Sequence, residues 1–165
     1  MFELRSTPAL PTLYIHQTVP AADLARFFQS SFNILDDHLR SHSYTVARSF
    51  YSLCHPLPAG QIECEVGCVM PCALPSHAGL LIGRIPAGVY ATGVHRGPYD
   101  QVRSCHAALL SWAKSLAYYP RGAAYEWFCR DLQHLPAEIR TDIWLPLQPA
   151  PAPAFSLLDE RLFQA

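Results

Sequence analysis

Two segments of this chain repeat apolar residues at steps of three and four, and each is bracketed by stretches that alternate with a period of two. In "PAADLARFFQSSFNILDDHLRSH" the spaced residues are Leu24, Phe27, Phe28, Phe32, Leu35 and Leu39. In "PYDQVRSCHAALLSWAKSLAY" they are Val102, Cys105, Leu109, Trp112 and Leu116. Both segments open at a proline, whose fixed φ suits a first helical turn, so both predict amphipathic helices. Ahead of the first, "LPTLYIHQTVP" predicts a strand with Leu13 and Ile15 on one side and Tyr14 and His16 on the other. After it, "SYTVARSFYSLCHP" and "QIECEVGCVMP" predict a hairpin about the turn "PLPAG". The second half repeats the order. "GLLIGRIPAGVYATGVHRG" is a long strand interrupted at Pro86-Ala87-Gly88. After the helix come "AAYEWFCRD" and "IRTDIWLPL", separated by the polar turn "LQHLPAE". The expected fold is α+β: two pseudo-symmetric β-α-β-β units in an antiparallel sheet, both helices on one face, and a ligand cleft between the halves.

One strand raises a question of its own. "AYEWFCRD" places Tyr125, Trp127 and Cys129 on one side and Glu126, Phe128 and Arg130 on the other. Both faces are apolar, while helices cover only one face of such a sheet, so the other must meet something besides bulk water. Tyr51, Tyr90 and Trp144 fall in other strands and predict rings converging on the seam between the halves. A ring-lined cleft with Glu126 inside is what the alternation suggests; the other reading of Glu126 is a strand-edge residue whose head reaches solvent or pairs with Arg130. His95 and Tyr99 in "HRGPYD" are expected to shape the lead into the second helix rather than to touch ligand.

Other chemistries find little support. The net charge is −1, which leaves no basic footprint for nucleic acid. No apolar run approaches the ~20 residues of a membrane span, and Met1-Phe-Glu-Leu-Arg-Ser lacks the features of a secretory signal, so a cytoplasmic protein is expected. Cys64, Cys68 and Cys72 recur every fourth residue, but four strand residues span ~13 Å, too far to share one zinc ion. The cysteines are expected to fill the core, and no metal or cofactor is expected. His38 and His42 are expected on a solvated helix face.

"GRIPAGVYATGVHRGPYDQV" resembles the segment leading into the second helix of the GyrI-like small-molecule-binding domain, the effector module of some AraC- and MerR-type regulators. "AAYEWFCRD" resembles that family's strand with its characteristic glutamate, and "EIRTDIWLPL" resembles its final strand. The likeness covers Leu10 to Leu147, and residues 1–147 are expected to form the domain. It implies a cleft for bulky, often cationic aromatic compounds, with Glu126 as the acid and Trp144, Tyr90 and Tyr51 as its aromatic contacts; Phe128, on the Glu126 side of its strand, is a further expected ligand contact. At the last-strand position this chain has Trp where relatives often have Tyr.

A desolvated carboxylate is costly unless hydroxyl donors or an arriving cation offset it, and aromatic faces attract the same cation. The first reading is a stand-alone small-molecule-binding protein that senses or sequesters lipophilic cations, with no direct nucleic-acid binding, as a monomer or homodimer. The second is a hydrolase of reactive compounds that uses Glu126. The third is a protein-partner role such as gyrase inhibition, which the resemblance also implies. The remaining tail, residues 148–165, is Pro/Ala-rich and then amphipathic through Phe155, Leu158, Leu162 and Phe163.

Overall fold

Period-two alternation becomes nine strands among the described residues of the computed structural model, which are 1–44, 49–72, 79–129 and 140–150. In chain order they are β1 (Glu3–Thr7), β2 (Leu10–Pro20), β3 (Ser49–Pro56), β4 (Gln61–Val69), β5 (Leu81–Ile85), β6 (Gly88–Arg96), β7 (Tyr118–Pro120), β8 (Tyr125–Cys129) and β9 (Arg140–Pro149). The helices are α1 (Leu24–Ser41) and α2 (Val102–Ser115), each preceded by a single 3₁₀ turn after Pro20 or Pro98. One antiparallel sheet runs β1-β6-β9-β8-β3-β4-β2-β5, and β7 adds to β9 off this row. The loop "LQHLPAE", Arg130 and the tail with Phe155, Leu158, Leu162 and Phe163 lie outside the described residues.

The α+β arrangement agrees with the sequence expectation, and the two halves are related in register as well as in element order. Pro8 and Pro86, Pro20 and Pro98, and the first residues of α1 and α2, Leu24 and Val102, each stand 78 residues apart. Helix α1 has 18 residues and α2 has 14, which makes Ser52 and Glu126 equivalents. These two face each other where β3 pairs with β8, so the pseudo-two-fold axis passes between them. The carboxylate of this site therefore has a serine, not a second acid, as its symmetry mate.

Two strands were not anticipated in their roles. β1 pairs with β6 of the second half, and β5 pairs with β2 of the first, so the halves exchange their leading strands. The breaks that allow this are Pro8-Ala9 and Pro86-Ala87. In a flat sheet β1 and β2 would stand six strand spacings apart, roughly 29 Å. The two-residue link between Thr7 and Leu10 reaches about 11 Å at most. The sheet must therefore curl until its ends approach, and the link from Ile85 to Gly88 imposes the same closure.

Each face of the curled sheet has its own core. On the helix side α1 lays Phe27, Ser31, Leu35 and Leu39 against Leu13, Cys64, Val66, Cys68 and Met70, the β4 face that alternation predicted. Helix α2 buries Val102, Leu109 and Ala113 against Ala91, Ile143, Leu145 and Leu147. Fully burying such a side chain contributes roughly 1.5–3 kcal/mol. Leu116 corrects the predicted stripe: it caps α2 and is 44% exposed. Cys72 also departs from the expected core role, being exposed. Among the described residues no helix is long and apolar enough to cross a membrane.

Candidate ligand site between the two helices

Strand β8 lies at the centre of the sheet, and its alternation sends Glu126 and Phe128 to the helix side. Phe128 packs on Phe28 and Phe32 of α1, with ring centroids 6.2 and 5.7 Å away, and on Tyr99, at 5.9 Å. Glu126 reaches the other way. Its Oε2 accepts a hydrogen bond from the Tyr99 hydroxyl at 2.5 Å, and its Oε1 lies 2.8 Å from Nε2 of His106 on α2. The acid thus sits between the two helices with only 15% of its side chain exposed. Burial and the adjoining Glu126 carboxylate together push the Tyr99 phenol well above its ordinary range, which keeps it a donor.

Tyr99 is held there by the turn that leads into α2. His95 Nε2 lies 3.0 Å from the Pro98 carbonyl oxygen, and Tyr99 opens the 3₁₀ turn that follows. Expectation and structure agree for His95, which shapes this turn. Tyr99 does more than sequence reading assigned to it, because its hydroxyl spans to Glu126 while the residue as a whole stays 41% exposed. His106 was missed altogether. The available signal was its position four residues after Val102, which turns it along the helix flank, but a lone helical histidine does not announce a partner.

The other predicted residues occupy the opposite face. Tyr51, Tyr90 and Tyr125 are buried in one cluster with Ile85, and Trp127 and Trp144 are packed against it. Tyr51 meets Trp127 at 5.5 Å, Trp127 meets Trp144 at 5.0 Å, and Trp144 meets Tyr90 at 6.0 Å. The single cleft expected to hold Glu126 with Tyr51, Tyr90 and Trp144 is therefore two regions separated by the sheet. Tyr51 and Tyr90 are fully buried because the curl closes over them.

This inner face has an acid of its own. The Tyr51 hydroxyl donates to Glu65 Oε1 at 2.5 Å, and burial raises the Glu65 carboxyl despite that bond. Gly67, opposite Tyr51 in the β3–β4 register, makes room for the ring: a Cβ there would lie 2.8 Å from Tyr51 Cζ and from the Leu13 carbonyl oxygen. Beyond the rings, a cavity of about 220 Å³ is lined by Glu3, Arg5, Thr92, Arg140, Asp142 and Trp144, among others. Its charges are mutually engaged: Arg5 pairs with Glu3 at 2.9 Å and stands over the Trp144 ring, and Arg140 binds Asp142 through two nitrogens.

Comparison with known proteins identifies the fold and the family. The profile of the GyrI-like small molecule binding domain matches residues 1–148. The fold is shared with the C-terminal domain of EcmrR at a TM-score of 0.74 and 18% identity, covering 91% of this chain and 98% of that one. In the EcmrR–DNA complex the TM-score is 0.77 at 18% identity, and the match spans 58% of the EcmrR chain. SAV2435, solved bound to tetraphenylphosphonium, matches at a TM-score of 0.65 and 14% identity, covering 90% of this chain and 94% of that one. No curated protein matches the chain. At these identities the structural neighbours establish the fold, and the profile match over nearly the whole described chain establishes the family: the protein belongs to the GyrI-like small-molecule-binding domains.

Proposed function

We propose that the chain binds bulky lipophilic organic cations against the Glu126 carboxylate, between α1 and α2, and so senses or sequesters such compounds. The observation that carries this reading is a shielded acid whose two partners are themselves partly exposed. Tyr99 lies on a solvent-facing turn, and the His106 side chain is 31% exposed. A cation approaching along the helix seam replaces those donors and meets the faces of Phe128, Phe28 and Phe32. Each aromatic face adds about 0.5–2 kcal/mol to a cation, depending on how dry the contact is. Stacking and charge both tolerate changes of outline, so the expected selectivity is for charge and bulk rather than for one compound. SAV2435, which has this fold, was solved with tetraphenylphosphonium, and that cation is a suitable probe.

The test is calorimetric titration with tetraphenylphosphonium and with neutral triphenylphosphine oxide. Charge attraction at about 4 Å is worth about 1–4 kcal/mol near a protein surface. Glu126→Gln is therefore expected to weaken the cation about tenfold or more and to leave the neutral compound within about twofold. Equal losses for both would remove charge as the discriminator.

A hydrolase reading has one observation in its favour: a carboxylate, a phenol and an imidazole lie within hydrogen-bond distance of one another through Glu126, a set able to relay a proton. Incubation with electrophilic esters and epoxides, followed by mass spectrometry, decides it. More than one equivalent of product per chain, lost in Glu126→Gln, supports an enzyme, and none supports a binder.

A further inference from the structure

One pair of side chains outside these contacts carries chemistry that ligand binding does not use. Cys54 on β3 and Cys64 on β4 stand directly opposite in the strand register, with their Sγ atoms 2.8 Å apart. Both are free thiols, Cys54 partly exposed and Cys64 buried. A disulfide needs its sulfurs at about 2.05 Å, so closing the bond requires a movement of less than about 1 Å. Hairpin pairing already supplies the proximity that distant cysteines must find by chance. Cys54 is also the symmetry equivalent of Phe128, which puts it on the helix side of the sheet, close enough for its thiol to feel the Glu126 charge.

We propose that Cys54 and Cys64 are a redox-sensitive dithiol, which small disulfide oxidants convert to a disulfide between β3 and β4 in the wall of the helix-side seam. Cys54, the more accessible thiol, attacks one sulfur of the oxidant as its thiolate and expels the first thiolate, leaving a mixed disulfide. The Cys64 thiolate then attacks the Cys54 sulfur and expels the second. The two protons released by the cysteines end on the two departing thiols. The protein loses two electrons and the oxidant gains them. Burial raises both protein thiols, so the reaction is slow at neutral pH and accelerates with alkali. This chemistry stands independently of the cation-binding reading.

The experiment treats the full chain with hydroxyethyl disulfide and follows intact mass and peptide maps. Exposed Cys72 forms a mixed disulfide and serves as the internal control for oxidant activity. Cleavage at Glu63, which separates the two cysteines in sequence, is expected to leave their peptides joined. The bridge accounts for a loss of about 2 Da, and its rate rises about tenfold per pH unit from 7 to 9 as thiolate accumulates. Cys54→Ser abolishes the bridge, and Cys64→Ser stops the reaction at a Cys54 adduct. A bridge between other cysteines would overturn the proposal. So would unreacted Cys54 and Cys64 at pH 9 after Cys72 is fully modified.

Discussion

The two faces of the sheet each hold an acid hydrogen-bonded to a tyrosine at 2.5 Å, yet the two pairs are built for different ends. On the inner face Glu65 and Tyr51 lie within a ring cluster that the curl has closed, and Tyr51 has no exposed surface. On the helix side Glu126 is met by Tyr99 and His106 from a turn and a helix that the sheet does not enclose. The inner pair is locked by strand register, because Tyr51 lies opposite Gly67 and Glu65 opposite Leu53. The outer pair depends on side chains carried by a turn and a helix rather than by strands. On the proposed reading, access to a shielded charge rather than the number of rings identifies the binding site.

Several substitutions sharpen or break that contrast. Gly67→Ala acts on the locked face and carries the largest expected cost. Its Cβ would press on backbone as well as on Tyr51, which cannot move away while its hydroxyl holds Glu65. Overpacking of this kind costs about 1–3 kcal/mol or more, read as a lower denaturation midpoint in urea. Tyr51→Phe comes next. It strands the Glu65 carboxylate without its donor, a loss of about 1–3 kcal/mol, and an unchanged midpoint would show that the inner pair is not structural.

Glu65→Gln has a direction set by pH. The folded protein holds the Glu65 carboxyl above its ordinary value of 4.5, so its contribution to stability is fully present below that value and is lost as pH rises through the raised one. The variant is expected to match or exceed wild-type stability at neutral pH and to lose that advantage below about pH 4.5, as chemical denaturation across pH would record. Tyr99→Phe should change stability least, by about 1 kcal/mol or less, because Glu126 keeps His106 as a partner. Its effect belongs in ligand titration instead. A stability loss as large as that of Tyr51→Phe would erase the distinction between the faces.

Much of this architecture was legible in the sequence. The helix stripes, the alternation of Ile62, Cys64, Val66, Cys68 and Met70, and the break at Pro86-Ala87 all follow from local periodicity. The matching break at Pro8-Ala9 was equally visible, and with it the 78-residue spacing that also relates Pro20 to Pro98. What local pattern could not supply was the pairing of distant strands. Parity alone separates Glu126 from Trp127, but only the pairing of Tyr51 with Trp127, and of Tyr125 with Trp144, decides which rings join which face. The curl that buries them comes from the strand exchange, a non-local event with no periodic signature. Tyr99 and His106 were hidden for the same reason, being 27 and 20 residues from the acid they contact.

The most direct test sets one acid against the other. Tetraphenylphosphonium is titrated into Glu126→Gln and Glu65→Gln under identical conditions, with folding of each confirmed by its denaturation curve. The helix-side assignment predicts a loss of about tenfold or more for Glu126→Gln and nearly wild-type affinity for Glu65→Gln. Intact binding in the first variant with a large loss in the second would move the site to the inner face and contradict it.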